Sequence, residues 1–574
     1  MSFPLKQPKT RQTACGGDLL AQSLAHLGAT TAFGLHGGHL DPFLVAAVEA
    51  DIKLIDVRHE TVAVQAAEGW AKVKGNNVPG VCFFTANSGF ANAYPGLCTA
   101  FADRSPVVCV TSSAPPRDDY TNALQGFHDQ VTLSKPVTKF CYQITEVSEI
   151  PRIVSLAWRA TTSGAPGPVL VDIPIDVLST PVESISSGGL LSGLSLNPAP
   201  HPEAIEKALG LWKNAKRPVI IVSTGAASAV ENVTKLAEAT NTPIFHSPKY
   251  STSIKRSHSL FGGSATQLAV LRYLGGQVPD FVGIVADVGQ AADAMIAAAS
   301  KSPFKAADDW VEKTMGLKSS AVASAPNEKE PVILLENNRL HPYHAVKKLF
   351  QSLPEDSICL NEARPRLSMV TTGYLGCLGN GWGYSLGAAV AFPDSLVVNL
   401  QGDGSAGFHI GELDTYAKYD LNVLTVIVNN AVWGMSLAGQ EIIYGDKTPQ
   451  RPCIAMNPKV KYEVVAQGFG CLSAVVDVHR DDSSESDGSK TLESLKQTVG
   501  SLSSSKSPGL LNLNVSDVPY QATTKAMVGQ SDDPNIIVIP YYDNVPKPYY
   551  KAGTPKTANG KADDSFVEGH GTIG

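Results

Sequence analysis

The sequence predicts an α/β protein built on doubly wound parallel sheets. Short apolar, β-branched segments alternate with helical segments over residues 16–177 and again over residues 342–515. Within residues 395–430, a strand, a helix and a second strand follow one another directly. Because strands joined by a helical crossover lie parallel in one sheet, this alternation favours parallel sheets with helices on both faces.

In the first region, the hydrophobic periodicity predicts helices and strands in regular alternation. The Ser-, Gly- and Pro-rich residues 178–200 predict a linker after it. Helices are predicted near residues 18–27, 40–49 and 61–72, and strands at 52–57, 78–84 and 106–111.

A second α/β region begins near residue 201 and has predicted strands at 218–223 and 242–245. It looks truncated, because few strands remain for a complete sheet. The polar residues 300–331 predict a second linker. The predicted domains are an N-terminal domain at 1–180, a shortened middle domain at 200–300, a C-terminal domain at 340–520 and a tail at 521–574.

Composition excludes some functions. The 574 residues include 46 Lys and Arg against 53 Asp and Glu, a net charge of −7 that gives no basic footprint for nucleic acid. Charged residues make up only 17% of the chain, which fits burial of surface between subunits. The nine cysteines show no CxxC pair or metal-ligand spacing, so reduced thiols are expected.

Because no known targeting signal is recognised in the sequence, we expect the cytoplasm as the default location. The first residues, MSFPLKQPKTRQ, have no apolar signal-peptide core, and no stretch of the chain approaches the length of a membrane span. The final Thr-Ile-Gly is not a peroxisomal tripeptide. We therefore expect no membrane partner.

Polar residues follow both strands of the 395–430 unit. Gly402, Asp403, Gly404 and Ser405 follow the first strand, and Asn430 follows the second. Parallel strands end at the same sheet edge, where α/β proteins bind ligands. Oxygens of Asp403 and Asn430 suit Mg²⁺, while the glycines and Ser405 suit a phosphate group. Either segment alone is equally consistent with a simple turn or strand end.

In the first region, residues 33–41 and 56–60 also come directly after predicted strands. They place His39 and Glu60 at the ligand-binding edge of that sheet. Glu60 begins a helix rich in Ala and Val, where a carboxylate can handle protons. Alternatively, Glu60 only stabilises the helix N-terminus by its charge, and His39 only caps backbone groups of a loop.

The GDGS sequence followed after 27 positions by Asn430 resembles the metal and diphosphate motif of thiamine-diphosphate-dependent enzymes. Further segments are similar in the same order along the chain, closest to benzaldehyde lyase and next to acetolactate synthase and the 2-hydroxyacyl-CoA lyases. These segments are FGLHGGHLD, IDVRHE, AAEGWA, LQGFHDQV, GPVLVDIP, GYLG and NNAVWGM. The resemblance implies a three-domain architecture with thiamine diphosphate and Mg²⁺ as cofactors.

The resemblance also implies roles for individual residues. Glu60 would hydrogen-bond the aminopyrimidine ring and promote formation of the ylid, and His39 and Gln125 would lie in the substrate cavity. For Gln125, a strand-end hydrogen bond is an alternative. The metal ligands would be Asp403, Asn430 and the Val432 carbonyl. Residues implied to bind the cofactor are Glu60, Gly376, Leu378, Gly402, Asp403, Gly404, Ser405, Asn430, Trp433, Gly434 and Met435.

The implied activity is that of a carbon–carbon lyase or carboligase acting on 2-oxo acids, aldehydes or acyloins through ylid and enamine intermediates. An acetolactate synthase-like or 2-oxo acid decarboxylase activity is the alternative, and a non-catalytic cofactor-binding homologue is a third. The family builds each site between two subunits, so a homodimer or homotetramer is expected. The short middle region makes FAD binding doubtful.

Overall fold

A computed structural model describes most of the chain. The described residues are 8–9, 11–76, 78–118, 129–182, 198–247, 254, 258–265, 282–323, 330–334, 337–354, 356–359, 375–437, 440, 453–483, 487–517, 536–539 and 542–546.

The first region forms a six-stranded parallel sheet in the order β3-β2-β4-β5-β7-β6, as the βα alternation predicts. A short antiparallel pair, β1 with β8, lies outside this sheet. The strands are β1 (Ala14–Cys15), β2 (Thr31–Gly34), β3 (Lys53–Asp56), β4 (Gly80–Phe84), β5 (Val107–Ser113), β6 (Phe140–Gln143), β7 (Val169–Pro174) and β8 (Pro181–Val182). The helices are α1 (Gly16–His26), α2 (Asp41–Glu49), α3 (Glu60–Val73), α4 (Ser88–Ala102), α5 (Gln130–Ser134), α6 (Ile150–Thr162) and α7 (Ile175–Ser179).

The strand order reverses between β2 and β4, because β3 lies on the far side of β2. Loops that leave the carboxyl ends of two such strands separate and open a crevice, which is where α/β sheets bind ligands. The loop after β2 carries His39, and the loop after β4 leads into α4. The first region therefore places its ligand-binding crevice beside His39.

The middle region contributes a three-stranded parallel sheet in the order β11-β10-β9 within its described residues. The prediction of a linker over residues 300–331 is wrong for much of its length, because residues 308–323 form a helix with Trp310 buried. Elements of this region are α8 (Pro202–Asn214), β9 (Ile220–Val222), α9 (Val230–Thr240), β10 (Ile244–His246), β11 (Phe261–Ser264), α10 (Val288–Lys301) and α11 (Asp308–Ala323).

The third region forms a five-stranded parallel sheet in the order β14-β15-β16-β18-β17. Two hairpins, β12 with β13 and β19 with β20, are antiparallel. Its elements are β12 (Ile333–Leu334), β13 (Arg339–Leu340), α12 (Pro342–Ser352), β14 (Ile358–Cys359), α13 (Asn380–Ala391), β15 (Val397–Gly402), α14 (Asp403–Ala406), α15 (Glu412–Lys418), β16 (Val423–Asn429), α16 (Tyr462–Gly468), β17 (Leu472–Val476), α17 (Ser489–Ser504), β18 (Gly509–Asn514), β19 (Ile536–Ile539) and β20 (Tyr542–Pro546).

The unit between β15 and β16 differs in detail from the sequence prediction. Instead of one helix, two short helices, α14 and α15, are separated by turns over residues 407–411. Leu413 and Tyr416 on α15 are fully buried. The strand–helix–strand connection and its parallel register are therefore preserved.

The first and third regions meet through α3 and α13. Glycines allow the two helices to approach closely: a side chain on Gly387 would overlap the Ala66 carbonyl oxygen, and one on Gly69 would lie 2.6 Å from the Tyr384 Cα. A buried hydrogen bond of 2.7 Å from Gln65 to Asn380 crosses the same contact. This contact fixes the position of Glu60, the first residue of α3, relative to the third region.

Candidate active site

Asp403 and Asn430 follow neighbouring strands at one edge of the third sheet. Gly402, the last residue of β15, pairs in register with Val428 on β16. Asp403 begins α14 directly after this pair, and Asn430 comes two residues after Val428. The structure therefore places Asp403 and Asn430 at neighbouring strand ends, where the sequence predicts a site for a metal and a phosphate.

The Asp403 carboxylate is buried and only half satisfied. Its Oδ1 accepts a hydrogen bond of 2.9 Å from the Gly404 backbone N–H, whereas its Oδ2 is buried and has no hydrogen-bond partner among the described residues. Burial raises the pKa of this carboxyl group. A buried acceptor without a partner is costly unless a donor or a cation meets it. The carboxylate thus fits a cation, and Asn430 supplies an amide beside it.

The turn after β16 packs over the turn that contains Asp403. The Asn430 side chain accepts a hydrogen bond of 3.2 Å from the Val432 backbone N–H, and the Trp433 N–H donates to the Ile454 carbonyl at 3.0 Å. Any side chain at Gly404 would overlap the Trp433 ring. The glycine and the tryptophan ring therefore form one closely packed wall of the site.

Gly434 and Met435 continue this turn on its exposed side. A side-chain carbon on Gly434 would lie 3.1 Å from the Asn430 amide nitrogen, so only glycine leaves that amide unobstructed. Met435 is 58% exposed. Both residues follow Asn430 closely in the chain, and the family resemblance implies that they bind the cofactor.

Ser405 joins the Asp403 turn to the glycine-rich segment before α13. Its hydroxyl accepts a hydrogen bond of 3.0 Å from the Gly379 backbone N–H and donates to Gln401. Gly376 and Gly379 both adopt positive φ angles, 72° and 83°, which favour glycine. Leu378, between them, is 39% exposed. The predicted cofactor residues of the third region are therefore linked in one structural unit.

Glu60 is the first residue of α3 and is only 7% exposed. The preceding His59 caps the helix, because its Nδ1 accepts a hydrogen bond of 3.2 Å from the Thr61 N–H. The Glu60 Oε2 accepts a hydrogen bond of 3.1 Å from the Asn92 amide on α4. Its other oxygen, Oε1, lies beside Gly89. The helix start and α4 together fix the direction of this carboxylate.

His39 lies in a short 3₁₀ turn, Gly38–Leu40, after β2. Its Nδ1 is buried and has no hydrogen-bond partner within the described part of the chain, and burial lowers the pKa of its imidazole. A neutral imidazole can donate or accept a proton at the crevice. His36, by contrast, is exposed and pairs with Asp41 at 2.9 Å. The two histidines thus differ in exposure and in their described contacts.

Gln125 lies outside the described residues, so its predicted role remains a prediction. The described segment that follows it is firmly held at the same edge. The Gln130 side chain on α5 accepts from the Asn87 N–H at 2.8 Å and donates to the Ser112 carbonyl at 3.0 Å. Gln130 therefore joins the segment after Gln125 to the turn that precedes α4.

Among the hydrogen bonds of the described residues, none joins Glu60 to the Asp403 turn of the same chain. The site residues around Glu60 in the first region and those around Asp403 in the third region form two half-sites. These half-sites are connected through the residues that precede Glu60. The Glu412 carboxylate accepts a hydrogen bond of 2.8 Å from the Arg58 backbone N–H. The His59 and His409 rings lie 5.3 Å apart. Within a single chain, the two half-sites are thus connected through the segment just before Glu60 and the segment that contains His409 and Glu412.

Glu412 and Asn92 are functional candidates that sequence reasoning missed. Glu412 is 1% exposed, and burial raises its pKa to about 7. In the sequence it resembles a surface residue at the start of an amphipathic helix. Asn92 is separated from Glu60 by 32 positions and has no local pattern that marks it. Only the packing of α3 against α4 reveals the contact.

The sheet edges, the Asp403–Asn430 pair and Glu60 form the arrangement that the sequence predicts for a cofactor-dependent α/β enzyme. Residues 15–133 match the thiamine pyrophosphate enzyme N-terminal TPP binding domain. Residues 205–273 match the central domain and residues 358–499 match the C-terminal TPP binding domain of the same family. The chain belongs to the thiamine pyrophosphate enzymes, which confirms the family predicted from the motifs. The order of the three matches also confirms the three-domain architecture.

Relatives that align with 79–82% of this chain carry two enzyme names. A probable acetolactate synthase of Mycobacterium bovis is 28% identical over 81% of this chain and 92% of its own length. A 2-hydroxyacyl-CoA lyase 2 of Caenorhabditis elegans is 28% identical over 82% of this chain and 85% of its own. A probable acetolactate synthase large subunit of Methanocaldococcus jannaschii is 28% identical over 79% of this chain and 86% of its own.

None of the helices in the described parts of the chain has the length and apolar character that crossing a membrane requires.

Proposed function

We propose that the chain is a thiamine-diphosphate- and Mg²⁺-dependent lyase or carboligase that breaks or makes a carbon–carbon bond next to a carbonyl group. The observation that carries this proposal is the buried, unpaired Asp403 Oδ2 beside Asn430. A cation at this edge would complete the hydrogen-bonding and charge requirements of the carboxylate. The family match identifies the cofactor that the cation would accompany.

Mg²⁺ would be held by Asp403, Asn430 and the Val432 carbonyl, since all three supply the oxygens that this ion prefers. Backbone groups at Gly402 and Gly404 and the Trp433–Met435 turn would bind the diphosphate. Gly376 and Leu378 would contact the aminopyrimidine ring. When bound, thiamine diphosphate supplies a nucleophilic carbon and an electron sink for the bond that is made or broken.

Glu60 would exchange a proton with the aminopyrimidine ring, and its fixed direction orients this exchange. His39 and Gln125 would bind the substrate oxygen and move a proton to or from it. The unpaired Nδ1 of His39 supports this assignment, because it leaves a ring nitrogen free to meet a polar group. Substrates would be small 2-oxo acids, aldehydes or acyloins.

The complete site would form between two chains, as a homodimer or a dimer of dimers. This arrangement is the one that the family resemblance implies, and no hydrogen bond among the described residues joins Glu60 to the Asp403 turn of the same chain. Nucleic acid is not expected as a partner, and FAD binding by the short middle region is not part of the proposal. We propose the cytoplasm as the default location.

An acetolactate synthase-like or 2-oxo acid decarboxylase activity is the second candidate. The names of the acetolactate synthase relatives favour it, whereas the name of the 2-hydroxyacyl-CoA lyase relative favours the first candidate. An acetolactate synthase passes the acyl group to a second 2-oxo acid, so pyruvate alone would give a joined product. A carboligase of the first kind passes the acyl group to an aldehyde acceptor, whereas a decarboxylase releases it as an aldehyde.

Feeding pyruvate and benzaldehyde singly and together, with cofactor and Mg²⁺, separates these candidates. Mass spectrometry of the products should show a joined product that needs both substrates. Carbon dioxide and free acetaldehyde without any joined product would favour the decarboxylase. If a wider panel of 2-oxo acids, aldehydes and acyloins gave no cofactor-dependent product, the remaining candidate would be a non-catalytic homologue.

A further inference from the structure

Asn92 contacts the start of α3 through both its side chain and its backbone. Its amide nitrogen donates a hydrogen bond of 3.1 Å to the Glu60 Oε2. Its backbone carbonyl accepts a hydrogen bond from the Thr61 hydroxyl. Two consecutive residues of α3 are therefore bound to one residue of α4, so Asn92 cannot shift relative to Glu60 without breaking both contacts.

The second carboxylate oxygen of Glu60 faces a different surface. A side-chain carbon on Gly89 would lie 3.6 Å from the Glu60 Oε1 and 2.9 Å from the Thr85 methyl group. Glycine thus leaves the space beside Oε1 free of any side chain. Asn92 therefore contacts Oε2, whereas Oε1 lies on the Gly89 side of the carboxylate.

The chemistry of the donor matters as much as its position. An amide N–H is neutral, so it satisfies a carboxylate oxygen without adding a second ionisable group beside it. Asn92 is exposed in the single chain, whereas Glu60 is 7% exposed. The asparagine therefore stands between a buried carboxylate and the surface of the chain.

We propose that Asn92 is a positioning residue for Glu60. By binding Oε2, it leaves Oε1 as the oxygen that contacts the aminopyrimidine ring. Because its amide is neutral, the Glu60 carboxylate also has no second acid beside it at this position. This inference rests on the proposed function, because it concerns the same carboxylate. It adds a residue to which neither the family pattern of the sequence nor the similarity to other enzymes assigns a role.

The substitution Asn92→Asp tests this role directly. It preserves shape but replaces the donor with a second carboxyl group next to Oε2, and two adjacent carboxyl groups cannot both ionise easily. We expect the acid limb of the pH profile of kcat to move upward by about one pH unit or more. At a pH below the midpoints of both proteins, kcat should fall by about ten-fold for each pH unit of the shift, with a smaller change in thiamine diphosphate affinity measured by calorimetry.

Asn232→Asp is a matched control. Asn232 donates a hydrogen bond of 2.8 Å to the Asp293 carboxylate, in the middle region and away from Glu60. The control makes the same chemical change beside a carboxylate, so it should leave the pH profile of kcat unchanged. A profile of Asn92→Asp that coincides with those of the wild type and the control would overturn the proposal.

A second measurement uses the cofactor-free protein. The melting temperature of Asn92→Asp should fall more steeply than that of the wild type between pH 5.5 and pH 8, because the paired carboxyl groups repel when both ionise. An identical pH dependence would contradict the contact. This measurement needs no catalytic activity, so it tests the contact even if the wild type shows no thiamine-diphosphate-dependent turnover. Such a lack of turnover would reject the proposed function alone.

If Asn92→Asp does not fold, Asn92→Ser replaces it. Serine is too short to reach Oε2 and adds no charge. A kcat at least about ten-fold lower, with thiamine diphosphate affinity largely retained, would support a positioning role. A wild-type kcat in this variant would overturn it.

Discussion

The Glu412 carboxylate accepts a hydrogen bond from the Arg58 backbone N–H at 2.8 Å, so the third region of the chain binds the turn that leads into Glu60. The other carboxylate oxygen of Glu412 accepts from the Thr415 hydroxyl at 2.7 Å. Within one chain, this contact connects the helix after the Asp403 turn to the start of α3. A change at Glu412 should therefore affect both half-sites.

Glu412 should make stability depend on pH. Burial raises the pKa of its carboxyl group from 4.5 to about 7, so the folded chain keeps a proton that the unfolded chain has lost. Between these two pH values the unfolded state binds fewer protons, and stability falls as pH rises. The effect is on the order of 3 kcal/mol of unfolding free energy and is complete above about pH 7.

Glu412→Gln should flatten this dependence, because the amide keeps the acceptor for Arg58 and does not titrate. We expect a smaller drop in melting temperature from pH 5 to pH 8 than in the wild type. Glu493→Gln, on the exposed face of α17, is the control and should follow the wild type. Equal slopes for all three proteins would show that Glu412 does not carry the effect.

Asp403→Asn should have opposite effects on binding and on stability. Loss of the carboxylate should weaken Mg²⁺-dependent binding of thiamine diphosphate by about 100-fold or more. The cofactor-free chain should become more stable by about 1–2 kcal/mol, since a buried, unpaired carboxylate oxygen is removed. Calorimetry and thermal melting measure the two quantities. Asp394→Asn, an exposed position before β15, should change neither; unchanged cofactor affinity in Asp403→Asn would reject the metal assignment.

Gly387→Ala should destabilise the contact between α3 and α13. The added carbon would overlap the Ala66 carbonyl oxygen and lie 2.6 Å from the Trp70 nitrogen, and backbone atoms cannot rotate away. We expect a loss of about 1–3 kcal/mol, as for overpacked cores. Gly210→Ala, in α8 with no atom within 4 Å of the new carbon, should instead stabilise by up to about 1 kcal/mol. Similar melting temperatures for both variants would contradict this packing.

His39→Ala should lower kcat by about 100-fold while leaving thiamine diphosphate affinity within about two-fold, because His39 would act on the substrate. The control is His36→Ala, since His36 is exposed and pairs only with Asp41 among its described contacts. Steady-state kinetics and calorimetry separate the two effects. If both variants lose activity equally, the distinction between the two histidines is wrong.

The sequence predicted the sheets and the positions of Asp403, Asn430 and Glu60 at strand or helix ends, because hydrophobic periodicity and strand–helix alternation are local signals. It did not predict α11, since the Ser, Ala and Lys residues of 300–331 suit both a linker and a helix. It also could not predict contacts between distant segments. Asn92 with Glu60 and Glu412 with Arg58 depend on how the helices pack, and no spacing in the sequence encodes them.

Replacement of Glu60 by Gln tests the central claim most directly. Gln keeps the size of the side chain but cannot exchange a proton, so the variant should bind thiamine diphosphate and Mg²⁺ and melt near the wild-type temperature. Formation of the joined product from a 2-oxo acid and an aldehyde should fall by at least about 100-fold. Product formation at the wild-type rate, or product formation by the wild type without thiamine diphosphate, would contradict the account.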